Sequence, residues 1–278
     1  MIAFDFEYYK PSSVAEALET YQSISKRTED IRFYSGGTEF ITFARVNKLS
    51  ADAVIDLKGI ADCNVLERQG DQLIIGSAVS LNTITNSNLF PLLGQTVKQI
   101  ADHTSRNKIT IGGNMNSQLM YRESILPLLI ADAHVKITKN KGEEIVPLKE
   151  IFNKELALSP GNFLIQIIVD APYVDLPYVS LKKTKFSKVG YPVVSVAAVA
   201  KENQIRAAFS GVCDYPFRSA KIERILNDSS LQVSERIDQV IARLPSPIVD
   251  DIEGSAAYRE FVLKNVLVDT MKVLEMAK

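Results

Sequence analysis

Two glycine pairs, each placed where an apolar run gives way to a polar turn, constrain this chain more than any other feature. One lies in IRFYSGGTEF (residues 31–40), the other in NKITIGGNMNS (residues 107–117). Glycine has no Cβ, so it tolerates positive φ and lets an anion approach main-chain N–H groups closely. One such turn is also what a plain strand-to-helix connection looks like. Two of them, brought together by the fold, grip the two phosphates of one pyrophosphate from opposite sides. Neither reads G-x-G-x-x-G, so the dinucleotide-binding Rossmann fingerprint is missing.

Composition narrows the chemistry. With 278 residues, 46% hydrophobic and 23% charged, the chain has the make-up of a soluble globular protein with one large or two modest domains. A formal net charge of −1 gives no basic surface for nucleic acid or an anionic membrane. No apolar run is long enough for a membrane span, and the acidic residues near Met1 do not suit a signal peptide. Cys63 and Cys213 stand alone, which rules out a metal knuckle or iron–sulfur cluster built from this chain and points to a reducing cytoplasm. His103 and His134 are the only histidines, too few for a multi-histidine metal centre. Redox work by this chain therefore needs a cofactor or a partner.

Short strands and helices alternate at first. A strand in FDFEYYKP precedes an S-x-x-E capping box at Ser13 and Glu16, with Val14, Leu18, Tyr21 and Ile24 on one helical face. IRFYS is a strand, residues 38–45 open a helix behind the first glycine pair, AVIDL is a buried strand, and VLERQGDQLIIGS is a hairpin. LNTITNS, LFPLLGQTVKQIAD and SILPLLIA read as helices, and HVKITKNKGEEIVPL as a hairpin turning at Asn140 to Gly142. Pro172 and Pro177 mark a boundary. Beyond it come period-two strands in YVSLKKTKF and VVSVAAVAKENQIRAAFSG, then helical patterns from about Phe217, Leu231 and Ser255. Strands followed by helices predict an antiparallel sheet with helices on one face.

At the first motif, Gly36 and Gly37 expose N–H groups, Thr38 offers a hydroxyl, and the helix behind adds its positive end. At Thr110, Ile111, Gly112, Gly113 and Asn114 the same features recur, with Arg106 placed to neutralise phosphate and Asn107 to brace the turn. His103 is close enough in sequence to face the same cleft, but reads as a loop histidine without an acid partner; His134 reads as structural. No serine stands in a G-x-S-x-G elbow, and no catalytic acid or base stands out. The run Lys182–Lys183–Thr184–Lys185 is a solvated face from which one lysine could project over a flavin edge.

Taken together, S-G-G-T-E-F and R-N-K-I-T-I-G-G-N-M resemble the paired motifs of the FAD-binding medium subunits of molybdenum hydroxylases, the flavoprotein family of xanthine dehydrogenase and carbon monoxide dehydrogenase. AVIDLKGI, LIIGSAVSLNTI, LPLLIADAHVKI, SGVCDYPFRSAKIE and GSAAYREFVLKNVL extend the resemblance over the whole chain. It implies an α+β protein: a PCMH-type, vanillyl-alcohol-oxidase-like FAD-binding domain over residues 1–172 and a C-terminal α+β domain over 173–278. It implies FAD held at the pyrophosphate by Phe33, Tyr34, Ser35, Gly36, Gly37, Thr38, Glu39 and Phe40 with Thr110, Ile111, Gly112, Gly113 and Asn114. Ile100 and Leu164 fall at apolar lining positions. Glu123 replaces an aspartate near the ribose and phosphates, and Lys182 falls at a lysine touching the isoalloxazine.

The resemblance further implies a hetero-oligomeric oxidoreductase. An iron–sulfur subunit, fed by a molybdopterin subunit, delivers electrons through FAD to NAD or another acceptor. After G-G-N the family has a small, polar, proline-containing stretch ending in G-D, where this chain has MNSQLM, Tyr121, Arg122 and Glu123. That departure leaves open a flavin-less scaffold subunit, and the fold alone leaves open a free-standing flavin oxidoreductase.

Overall fold

The computed structural model describes residues 2–139, 142–186 and 189–276. A three-stranded parallel sheet comes first, with Ala53–Asp56 in the middle between Glu7–Tyr9 and Ile31–Tyr34. Every residue of the central strand is buried: Ala53, Val54 and Ile55 by their apolar character, and Asp56 with Lys58 and the Tyr8 hydroxyl as partners. Helix Val14–Ile24 packs Val14, Ala17 and Ile24 into this layer. Ser13 caps it by accepting from the Glu16 N–H, but the Glu16 carboxylate turns to the N–H and hydroxyl of Ser12 (both 2.7 Å), so the expected box is shifted by one residue. Strand Ile31–Tyr34 ends where the first glycine pair begins, and the predicted helix follows as Thr38–Arg45. Carboxyl ends of parallel strands are where such folds place ligands.

A five-stranded antiparallel sheet forms the second layer, in the order Leu66–Gln69, Gln72–Gly76, Leu164–Asp170, His134–Lys139, Gly142–Pro147. Both expected hairpins are present; Asn140 and Lys141, at the turn of the second, lie outside the described residues, but Lys139 pairs with Gly142 across it. Helices Leu81–Ser87, Pro91–Val97 and Ile125–Ile130 cover this sheet and share its core.

The C-terminal sheet runs Tyr178–Thr184, Pro192–Lys201, Gln204–Ser210, Phe217–Arg218, all antiparallel. Phe217 is thus a strand residue, and the helix expected near it begins at Ala220. Helices Ala220–Leu226, Val233–Ile241 and Ala256–Glu275 bury one face through Val196, Ala198, Ala207 and Phe209. The alternate residues Ala197, Val199 and Ala208 join the core of the five-stranded sheet instead. Period two therefore buries both faces, and the second face meets the helix Ile125–Ile130.

Polar groups reinforce that junction. Asp132 accepts from Arg206 and Arg218 (2.6 Å each) and from the Tyr173 hydroxyl (3.0 Å). Burial works to raise its pKa, but the two guanidinium groups outweigh it and hold the carboxyl below its ordinary value. A depressed carboxylate contributes stability that is present above its unfolded pKa, near 4, and lost as pH falls through the folded value. Asp132→Asn is a clean test, because asparagine tolerates the left-handed backbone at this position (φ 49°). Urea midpoints of the variant should lie below wild type at pH 7, with the gap narrowing as pH falls below about 4. A gap that stays constant across that range would remove the charge from the explanation.

Candidate functional site

The two glycine motifs meet. A Cβ built on Gly36 would lie 2.0 Å from the Lys108 carbonyl oxygen and 3.2 Å from the Thr110 nitrogen, so the first bend presses against the second with no room for a side chain. Between and around them opens a cleft of about 890 Å³, within the range of small-molecule and cofactor sites. Phe33 through Phe40, Ile100, Thr110, Gly112, Gly113, Asn114, Glu123, Leu164 and Lys182 all line it. Ile111 does not: its side chain is fully buried in the core, and it serves the site by anchoring the second motif from behind.

The motifs offer different chemistry. Gly37 (φ 70°) is the N-cap of helix Thr38–Arg45 and carries no side chain to cap it. The N–H groups of Thr38, Glu39 and Phe40 therefore have no acceptor within the helix and sit at its positive end. The second motif is not the open loop expected but a single turn of helix, Ile111–Met115, capped by Thr110. Its N–H groups are already used: Ile111 donates to Val79 O (3.0 Å), Gly112 to Ser77 O (2.9 Å), Gly113 to Thr110 Oγ1 (3.2 Å) and Asn114 to Thr110 O (2.9 Å). A Cβ on Gly112 would strike Ser77 at 2.8 Å, so this glycine serves packing. A Cβ on Gly113 would meet only Thr110 Oγ1, at 3.0 Å, which makes Gly113 the bare surface of the motif. Asn114 Oδ1 accepts from the Ser124 N–H (3.1 Å), which leaves the amide nitrogen as a donor.

Glu39 ties the two halves together, accepting from the Ser117 hydroxyl and the Gln118 N–H (2.8 Å). Ser117 and Gln118 belong to the MNSQLM stretch, so that departure closes onto the first motif, while Met115 fills the core. Deeper in the cleft Glu123 and Lys182 form an ion pair (3.1 Å) with side chains only 5% and 4% exposed. Lys182 Nζ also donates to Gln99 O (2.9 Å). Burial raises the Glu123 pKa, and the Lys182 ammonium opposes it. Among the described residues Glu123 Oε1 and the buried hydroxyls of Ser35 and Ser77 have no hydrogen-bond partner, and all three residues line the cleft. Buried orphan polar atoms are uncommon, and three in the wall of one cavity suit a polar ligand there.

Several expected neighbours lie elsewhere. Arg106 donates to the carbonyls of Ile100 (3.0 Å) and Ala101 (2.8 Å), so it shapes the turn beside the cleft and does not line it. Asn107 braces as anticipated, accepting from Asn82 Nδ2 (2.7 Å). His103 is exposed and His134 sits on a strand, both outside the cleft. Tyr121 and Tyr191, stacked at 4.8 Å, line the cleft together with Arg122 and Ser77. No local motif announces these four. Among the described residues no cluster of metal-ligating side chains exists, and no helix is long and apolar enough to cross a membrane.

Comparison with known proteins agrees with this geometry. Residues 4–172 match the model of the FAD binding domain in molybdopterin dehydrogenase. The chain is similar to the glyceraldehyde dehydrogenase medium chain of Sulfolobus acidocaldarius, 23% identical with 98% of each chain covered. It is similar to the xanthine dehydrogenase FAD-binding subunit of Escherichia coli O157:H7, 21% identical over 99% of this chain and 97% of that one. A chain of carbon monoxide dehydrogenase from Hydrogenophaga pseudoflava superposes with a TM-score of 0.87 at 22% identity, covering 99% of both, which shows the fold. The uncapped N–H groups, the orphan hydroxyls and the bare Gly113 surface fit the diphosphate of FAD. The chain belongs to the family of FAD-binding domains of molybdopterin dehydrogenases and is an FAD-binding oxidoreductase subunit of the molybdenum hydroxylase type.

Proposed function

We propose that this chain is the electron-transfer flavin subunit of a xanthine-dehydrogenase-like complex, working between an iron–sulfur subunit and NAD or another acceptor. A molybdopterin subunit would oxidise the substrate, so this chain would not touch it. The lone buried thiols of Cys63 and Cys213 support a cytoplasmic setting. We assign residues 1–172 to the FAD domain and 173–278 to the C-terminal domain, because the cleft draws mainly on the first and takes Lys182 from the second.

The contact of Gly36 with the Lys108 carbonyl carries this reading, since it makes one site out of two distant motifs. The first-turn N–H groups of residues 38–40 would hold the diphosphate, with Gly113 allowing close approach. Ile100 and Leu164 would give apolar walls; Lys182, ion-paired with Glu123, would stand beside the ring system. FAD supplies the reversible electron exchange, and these residues supply placement and field.

The test is titration of the purified full chain with FAD, followed by flavin fluorescence. Wild type should bind stoichiometrically. Gly113→Val should keep its fold, because the added group meets one rotatable hydroxyl, yet bind FAD roughly tenfold more weakly or worse. Unchanged affinity in the variant would refute the assignment of this glycine, and a wild-type chain that takes up no FAD would refute the site. Turnover of a small substrate by the isolated chain would refute the subunit role.

A further inference from the structure

Three cationic side chains line the cleft: Arg32, Arg122 and Lys182. Arg32 pairs with Asp30 (2.9 Å) and Lys182 with Glu123 (3.1 Å). Arg122 has no carboxylate partner at ion-pair distance among the described residues, although it is only 7% exposed. Its Nε donates to Ser117 O (2.6 Å) and one terminal nitrogen to Lys154 O (2.5 Å); the other terminal nitrogen makes no hydrogen bond among the described residues. Two neutral carbonyls orient this guanidinium without neutralising it. The carboxylates of Glu155 and Glu39 lie near enough to favour the charge without pairing with it, and Glu39 is already occupied by Ser117 and Gln118.

The backbone is unusual as well. Arg122 has φ 35°, in the left-handed region that disfavours residues with a Cβ. The family pattern ends this stretch in G-D, and with Glu123 at the acidic position Arg122 stands where the glycine would be. A nearly buried cation with no carboxylate at ion-pair distance is costly, and a left-handed arginine adds to that cost. An anion in the cleft offsets the first of these.

We propose that Arg122 is an anion-binding residue of the cleft, donating from its remaining terminal nitrogen to the diphosphate of FAD. The proposal rests on the FAD reading above. Ser117 links Arg122 to Glu39 on the first turn of helix Thr38–Arg45, so the cation lines the same cleft as the helix start and is tied to it through one residue. The remaining terminal nitrogen carries two N–H donors for phosphate oxygen, and the permanent charge of the guanidinium adds to the helix N-terminus. A site built this way reads the diphosphate and its adenosine half more strongly than one in which glycine leaves the position bare.

Arg122→Gly tests it, because glycine accepts this backbone without strain, which offsets part of the stability lost with the two carbonyl contacts; the melting point of the apo variant is measured alongside binding. The full chain and its variant are titrated with FAD and, separately, with ADP, which carries the diphosphate without the flavin, each at low and high salt. Both affinities should fall roughly ten- to hundredfold in the variant, and its affinities should depend less steeply on salt. Arg122→Lys should recover part of the loss. Unchanged binding of FAD and ADP overturns the proposal. So does a loss that keeps the salt dependence of wild type, since that outcome marks a side chain that only holds Ser117 and Lys154 in place. A wild-type chain that binds neither ligand refutes the FAD reading itself, a result separate from these.

Discussion

Gly36→Ala is expected to melt roughly 6–12 °C below wild type and to purify without flavin. The smallest possible side chain suffices, because its Cβ would sit 2.0 Å from the Lys108 oxygen and 3.0 Å from the carbonyl carbon. Both atoms are backbone, and the segment they belong to is fastened: Lys108 and Ile109 N–H donate to Ser105 O (2.9 Å each), and the Ile109 carbonyl accepts from Leu81 N (2.9 Å). On the other side, Lys58 Nζ holds the Ser35 carbonyl (2.7 Å) while pairing with the buried Asp56. Neither bend can retreat cheaply. Forcing a methyl group into such a contact costs about 3 kcal/mol, and each kcal/mol shifts the melting point of a chain this size by about 2–4 °C. Whatever relief occurs moves the uncapped helix start away from Gly113, and with it the diphosphate cradle. Calorimetry and the flavin absorbance of the purified variant decide the matter. A wild-type melting point with full flavin content would show that the two motifs need not touch.

The parts of this site that lie within one element were legible in the sequence. The strand before Gly36, the helix from Thr38 and the cap at Ser13 all follow from local periodicity and capping chemistry. At the second motif the sequence predicts a polar turn, and the structure has a turn of helix, Ile111–Met115. Two adjacent glycines argue against helix, yet Thr110 caps the turn and the Ser77 and Val79 carbonyls accept its first N–H groups, so docking overrides propensity. Pairings across the fold were invisible. Glu123 with Lys182, and Glu39 with Ser117 and Gln118, join segments that no periodicity relates, and each changes a residue's role from isolated ligand contact to one half of a pair. Period two predicts one covered face for Pro192–Lys201, and the structure buries both, because its second face packs into the core of the five-stranded sheet, which no local pattern reveals.

Arg259→Leu should remove about 3–5 kcal/mol of stability, the largest loss expected from any single side chain in the C-terminal half. The guanidinium is fully buried at the start of helix Ala256–Glu275. It donates to the carbonyls of Gly254 (3.1 Å), Val193 (2.8 Å), Pro192 (3.3 Å) and Gly211 (2.5 Å), and it pairs with Asp251. Leucine fills part of the volume and satisfies none of these acceptors. Asp251 is 30% exposed and can rehydrate, so most of the penalty falls on the carbonyls sealed in the core. The consequence reaches the cleft, because Tyr191 precedes Pro192 and stacks on Tyr121 at the cleft wall. Urea titration should show the lost stability, and FAD affinity should fall by less than in Gly36→Ala, since the diphosphate cradle is untouched. Asp251→Asn separates the two contributions: it should cost much less, because the carbonyl contacts survive. A loss below about 1 kcal/mol for Arg259→Leu would mean that water or rearranged backbone satisfies those carbonyls, and that the arginine is not what fastens the last helix to the sheet.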